Sequence, residues 1–122
     1  MKPDSRASSI ARGAAAETLA ASFLEKRGLA IVTRNYRCRV GEIDLIARDG
    51  ATLVFVEVRL RKSNAFGGAS ASITASKQHR LKLAASHYLA GLGCESLCRF
   101  DAILLQTLDE NHIEWLRNID AA

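Results

Sequence analysis

Residues 41–62 read GEIDLIARDGATLVFVEVRLRK, from Gly41 to Lys62, and the reading of this stretch decides the fold. Two runs rich in β-branched and large apolar residues, Glu42 to Arg48 and Thr52 to about Leu60, flank the dipeptide Asp49-Gly50. Such a dipeptide between apolar runs predicts a hairpin, because Gly tolerates the positive φ of a tight turn. Side chains alternate across a strand, which places Glu42, Asp44 and Ile46 on one face and Phe55, Glu57 and Arg59 on one face. With Asp49-Gly50 as a two-residue turn, Arg48 faces Ala51, Glu42 comes opposite Glu57, and Asp44 is its diagonal neighbour. Three carboxylates then converge inside strands whose other residues are greasy. An unpaired buried charge is expensive, so these acids need a partner.

Around the hairpin the rest of the chain supplies helices and further strands. Ser8 to Arg27 is helical in pattern, with residues 1–7 as a frayed end. Gly13, Ala16, Ala20, Phe23 and Leu24 fall near one face, and Gly28 supplies the stop. Glu17 lies in or beside that stripe and points toward the body, where it is either neutralised by a base or directed at a metal. Leu29 to Arg39 reads as a strand. Ser63 to Ser72 is a small-residue, Gly-rich loop. Thr74 is a plausible N-cap for a second helix to about Ala90, with a core stripe of Leu81, Ala84, Ala85, Tyr88 and Leu89. Lys77, Arg80 and His87 lie along a neighbouring face of that helix. Leu97 to Gln106 is a last core strand, His112 to Asn118 pairs with it, and Trp115 is a core or edge cap. Helix, three strands, helix, then one or two strands predicts an α/β or α+β domain, a mixed central sheet flanked by helices.

At 122 residues the chain suits one domain with a real core. No apolar run approaches the roughly 20 residues of a membrane span. Glu17 interrupts the alanine-rich stretch that follows Lys2 and Arg6, against an uninterrupted signal core, and the cytoplasm is the expected compartment. Cys38, Cys94 and Cys98 are odd in number and lack a disulfide spacing, which suits a reducing compartment. Cys94-x-x-x-Cys98 has no second cysteine pair to complete a zinc site, and free thiols are the expected state.

Charge is unevenly placed. Six bases and no acid lie between Val58 and Cys94, and five bases and no acid lie from Lys26 to Gly41. That asymmetry is the footprint of a polyanion binder, and two merely solvated basic faces are the plainer alternative. Arg37, Arg39, Arg61, Lys62, Lys77 and Arg80 are the candidate nucleic-acid contacts.

Clustered carboxylates can be offset by a hard divalent cation such as Mg²⁺ (or Mn²⁺), which prefers oxygen ligands and keeps water and substrate phosphate beside them. Asp44 and Glu57 as ligands, with Arg59 to stabilise charge on a phosphoryl group, fit metal-assisted phosphodiester hydrolysis. An ion-pair network of Asp44 and Glu57 with Arg34, Arg37, Arg39 or Arg59 accounts for the same spacing equally well. Neither a Ser/His/Asp nor a Cys/His constellation is legible, and there is no GxxxxGK[ST] loop.

Gly41-Glu42-Ile43-Asp44-Leu45-Ile46, then Phe55-Val56-Glu57-Val58-Arg59 with Arg61, then Phe66-Gly67, Lys77 and Arg80 resemble the YraN-like family of uncharacterised bacterial proteins. The resemblance runs from about Gly13 to Leu105. That family in turn resembles the restriction-endonuclease-like fold with its PD-(D/E)xK site, and archaeal Holliday junction resolvases in particular. The resemblance implies a sheet flanked by helices, with Asp44, Glu57 and Arg59 as the catalytic positions and Asp44 and Glu57 as metal-binding acids. Gly13-x-x-x-Glu17 is similar to a resolvase helix motif whose glutamate assists metal binding. DNA, branched or damaged, is the implied partner, and a homodimer the implied assembly.

One departure stands out. Arg59 occupies the position of the motif lysine, and a guanidinium is always protonated, so it cannot take up a proton. It can still hold a phosphate, which keeps binding plausible and puts cleavage in question. Lys62 has the wrong parity to replace it. Three readings follow: a Mg²⁺-dependent nuclease, a non-catalytic nucleic-acid-binding protein of the same fold, and a scaffold whose basic blocks meet an acidic protein.

Overall fold

The computed structural model describes residues 5–60, 75–93 and 96–119. Helix α1 spans Ser5–Lys26, strands β1, β2 and β3 span Ala30–Cys38, Gly41–Asp49 and Thr52–Leu60, helix α2 spans Ala75–Leu92, and β4 and β5 span Leu97–Leu105 and Ile113–Leu116. A short 3₁₀ turn, Glu110–His112, leads into β5. Arg61, Lys62, the Ser63 to Ser72 loop, the Thr74 cap and Cys94 lie outside the described residues.

The five strands form one sheet in the order β1-β2-β3-β4-β5. Pairing is antiparallel except between β3 and β4, which run parallel. That parallel pair requires a crossover, and α2 lies on it. The expected mixed sheet flanked by helices is the observed architecture, a restriction-endonuclease-like α+β arrangement.

Each face of the sheet is covered by one helix. Ala16, Ala20, Ala21, Phe23 and Leu24 of α1 pack on Leu45, Ala47, Val54, Val56, Val58, Ile103 and Leu105. Leu81, Ala84 and Ala85 of α2 pack on Ile43, Ile46, Leu53 and Phe55, joined by Tyr36, Tyr88 and Phe100. Because β3 is buried on both faces, its sequence is a continuous apolar run rather than an alternating one. Helix α1 begins at Ser5, not Ser8, and Gly13 is exposed rather than part of the buried stripe. Helix α2 runs through Gly91 and stops at Gly93, whose φ of 70° no longer continues a right-handed helix.

The hairpin differs from expectation in two ways that shape the site. First, Asp49 pairs with Thr52, so the loop is Gly50-Ala51 and the register is two residues off the predicted one. Gly50 takes the first loop position at φ 60°, as a type II′ turn requires. Glu42 therefore does not oppose Glu57, although a two-residue slip does not by itself change the face a side chain takes.

Second, strict alternation fails at Asp44. Gly41 and Ile43 face α2, yet Leu45 and Ala47 face α1. The neighbouring strand does the same, for Tyr36 packs on the α2 side while the Arg34 side chain reaches Thr18 of α1. The pairs Arg34–Leu45 and Tyr36–Ile43 bracket the level where both strands turn over. Asn35 sits at that level with φ 54°, a left-handed conformation Asn adopts more readily than most residues. Asp44 is thus turned away from Ile46, toward α1.

Candidate functional site

The paired ladder between β2 and β3 ends at Leu45–Val56. Beyond it the Val58 N–H donates not to a neighbouring strand carbonyl but to Asp44 Oδ2, at 2.8 Å. The carboxylate stands in for the missing ladder bond, and the two strands splay apart. Glu57 emerges into this gap with its side chain 14% exposed, and Arg59 Nη2 lies 2.9 Å from Glu57 Oε1. Of the partners weighed from sequence, Arg59 is the one that neutralises Glu57. Arg37 Nε instead approaches the exposed Glu42 at 3.4 Å.

Two cavities meet at the splayed ends. One, of about 360 Å³, lies under α1 and is lined by Arg12, Gly13, Ala16, Glu17, Glu42, Asp44, Glu57 and Val58 to Leu60. The other, of about 500 Å³, opens toward α2 and is lined by Arg37 to Glu42, Glu57, Arg59, Lys77, Arg80 and Leu81. Glu42, Glu57 and Arg59 line both. An acidic hollow and a basic cleft therefore share one wall.

Burial dominates the electrostatics of the acids. Desolvation, reinforced by the Asp44 charge, pushes the Glu57 carboxyl up to about 7, against the pull of Arg59 and Lys77. Desolvation also raises Asp44, opposed by the Val58 N–H bond and aggravated by Glu42. Glu17 is raised by burial and then by Asp44, while a hydrogen bond with Asn35 and the nearby Arg34 favour its charged form. Of the two outcomes considered for Glu17 from sequence, the neutralising base is present in Arg34, joined by Asn35, and Glu17 lines the same hollow as Asp44 and Glu57.

These acids are an all-oxygen donor set held short of compensating charge, which is the chemistry a hard divalent ion relieves. Among the described residues, no group of three His, Cys, Asp or Glu side chains forms a ready-made metal cluster. Asp44 and Glu57, with Glu17 approaching, are the residues that would hold such an ion.

The structure brings together Glu17, Asp44, Glu57 and Arg59, and gathers Arg37, Arg39, Lys77 and Arg80 on the adjoining cleft. Arg61 and Lys62 lie outside the described residues. His87, grouped with Lys77 and Arg80 from helical spacing, is drawn away to hydrogen-bond the Tyr36 hydroxyl through Nδ1. Sequence reasoning missed Arg12, which lines the acidic hollow one position before the exposed Gly13. It also missed Asp101, fully buried on β4. Its two oxygens accept from Arg99 Nε at 3.1 and 3.2 Å, Trp115 Nε1 at 2.9 Å and the Asn118 N–H at 2.9 Å. A carboxylate within the apolar run Phe100 to Leu105 was the available signal, the same one that singled out Glu57.

A family model described as "Uncharacterised protein family UPF0102" matches residues 16–105. A UPF0102 protein of Nitrosomonas europaea is 57% identical over 107 residues, which cover 88% of this chain and 91% of that protein. One of Nitrosospira multiformis is 56% identical over 107 residues, covering 88% and 90%. One of Dechloromonas aromatica is 54% identical over 113 residues, covering 92% and 90%. The chain belongs to the UPF0102 family, the YraN-like family that the Gly41–Ile46 and Phe55–Arg59 motifs resemble.

Proposed function

We propose that this member of the UPF0102 family is a nucleic-acid-binding protein of the restriction-endonuclease-like fold, with DNA as its partner. One observation carries the reading. Among the described residues, five bases, Arg37, Arg39, Arg59, Lys77 and Arg80, line a single cleft of about 500 Å³ against two acids. Such a cleft suits a phosphate backbone, whose contacts with Lys and Arg release condensed counterions and make affinity fall steeply with salt. At the inner end Arg59 is engaged with Glu57 at 2.9 Å, an arrangement suited to fixing a phosphate rather than to relaying a proton.

Fluorescence anisotropy with labelled DNA across a salt series tests the proposal. Binding should weaken linearly on logarithmic axes and survive Asp44→Asn, whereas salt-insensitive binding, or none, would sink it. On this reading, Arg59→Lys changes affinity little.

A second reading, Mg²⁺-dependent hydrolysis of a phosphodiester bond, is favoured by the acid pair itself, whose carboxyls are both raised by burial. A bound ion would supply Lewis-acid activation of water and screening of the phosphate. Asp44 and Glu57 would hold it, Glu17 would face it from α1, and Arg59 would hold the phosphate oxygens. Purified protein with Mn²⁺ and linear, flapped and four-way DNAs distinguishes the two readings. Cleavage exceeding that of an Asp44→Ala/Glu57→Ala control would favour hydrolysis, and parity with that control would leave binding alone.

A further inference from the structure

The floor of the basic cleft is closed by main chain. A Cβ built on Gly41 would lie 2.8 Å from the Arg80 carbonyl oxygen, 3.5 Å from its carbon and 3.6 Å from Ala84 Cβ. The first of these is shorter than side chains tolerate, and the obstructing atom belongs to a helix backbone that cannot swing aside. Gly41 is therefore where α2 meets the start of β2 at the closest approach a chain permits. Ala84, fully buried on the next turn, keeps that approach narrow.

The two basic walls rise from this point. Arg37 and Arg39 belong to the end of β1 and the turn before Gly41, and Lys77 and Arg80 belong to α2. Their separation at the base is fixed by backbone contact rather than by rotatable side chains. Widening the cleft would lift α2 off Ile43, Ile46 and Phe55 and undo the packing of Leu81, Ala84 and Ala85. Volumes of this order enclose a ligand of small-molecule size. A space of about 500 Å³ holds a nucleotide step of one strand, whereas the second strand of a duplex must stay outside it, beyond reach of the inner basic side chains. Among the described residues the charged lining is five basic and two acidic side chains, a set that engages phosphates rather than nucleobases.

We infer that the cleft takes an unpaired nucleic-acid strand rather than an intact duplex, and that Gly41 is the positioning residue that sets its width. This rests on the nucleic-acid-binding reading and narrows it to strand ends, flaps and gaps. Fully paired arms would be excluded.

The test measures the anisotropy of one labelled DNA strand alone, annealed to its full complement, annealed with an unpaired flap, and built into a fully paired four-way junction. An RNA strand of the same sequence, run beside it, shows which sugar the cleft accepts. The unpaired strand and the flap should bind about tenfold or more tighter than the duplex and the junction. Duplex binding as tight as strand binding would overturn the inference while leaving nucleic-acid binding intact. No binding to any of them would remove the underlying reading as well.

Gly41→Ala should weaken strand binding about tenfold and make the salt slope shallower by roughly 0.7 for each phosphate no longer neutralised. Val54→Ala, which trims the core on the α1 side, should leave the slope unchanged in the folded protein. Gly41→Ala with wild-type affinity and slope would overturn the positioning role. If that variant fails to fold, Lys77→Ala/Arg80→Ala replaces it. Loss of the strand-over-duplex preference supports the inference, and an equal loss on both overturns it.

Discussion

Two acidic centres lie in one sheet, and the protein treats them oppositely. Asp101 on β4 is fully buried and saturated by Arg99, the Trp115 indole and the Asn118 main chain, with Arg99 Nη1 extending the network to Asp49 Oδ2 at 2.9 Å. At the splayed end of β2 and β3, Asp44 accepts from the Val58 N–H and Glu57 pairs with Arg59 and feels Lys77, yet the two carboxyls are hydrogen-bonded to each other and burial raises both. The first centre is an ion pair tying β4 to the hairpin and to the β5 segment. The second is held under electrostatic stress, with Glu57 pushed up to about 7. A buried acid surrounded by donors serves the fold, whereas one whose carboxyl burial pushes up, in a cleft, is a candidate for function. Even the arginines are imperfectly matched, for Arg59 Nε and Arg99 Nη2 are buried without a hydrogen-bond partner among the described residues. The asymmetry therefore lies in the carboxylates.

The sharpest test makes the same isosteric change at both centres. Asp101→Asn places an amide among three donors and removes the buried one of the two carboxylates that Arg99 pairs with, so urea unfolding should show a loss of roughly 3 kcal/mol. Asp44→Asn keeps an acceptor for the Val58 N–H and removes a repelling charge, so at pH 8 it should leave stability unchanged or raise it by up to about 1 kcal/mol. Equal losses at the two positions would erase the distinction.

The next effect is the pH dependence of the strained centre. In the unfolded chain Glu57 ionises near 4.5, and in the fold near 7. Below pH 4.5 the group is neutral in both states and carries no penalty. As pH rises toward 7 the unfolded chain ionises first, and stability falls by up to about 3 kcal/mol before levelling off. Asp44, raised in the same direction, adds to the slope. Thermal melts from pH 4.5 to 8 should therefore show wild type losing stability relative to Glu57→Gln. A wild-type curve that runs parallel to the variant's would mean that Glu57 is not strained.

Function and stability should also separate at the basic wall. Lys77→Ala/Arg80→Ala should cost about tenfold in DNA affinity, about 1.4 kcal/mol. For the exposed Arg80, changed alone, unfolding should shift by no more than about 0.5 kcal/mol, as for surface positions generally. The smallest effect is expected where the geometry looks best. Lys26 Nζ and Glu110 Oε1 are 2.7 Å apart but exposed, so Lys26→Ala should cost no more than about 0.5 kcal/mol. A larger loss there would show that ion-pair distance, not burial and donor count, governs these centres.

Legibility followed locality. Strand and helix spans came within a few residues of those observed because apolar period and turn residues act over a handful of positions. The pairing of Glu57 with Arg59 was open to sequence because two positions on one strand share a face. Asp101 carried the same signature as Glu57, a carboxylate in a greasy strand, yet its partners Trp115 and Asn118 come from a segment that reaches it only when β5 pairs with β4. Nothing local distinguishes the satisfied acid from the strained one.

What the sequence determined by itself was the set of elements, the turn near Gly50 and the presence of charge in buried strands, since each depends on residue type and short-range period. Tertiary structure alone decided where that charge points. Asn35 at positive φ turns β1 over beside Asp44, β2 parts from β3 after Leu45–Val56, and Gly41 lets α2 close on the gap. Each event depends on the approach of chain segments distant in sequence. Backbone and packing forces at that range leave only a faint trace in residue order.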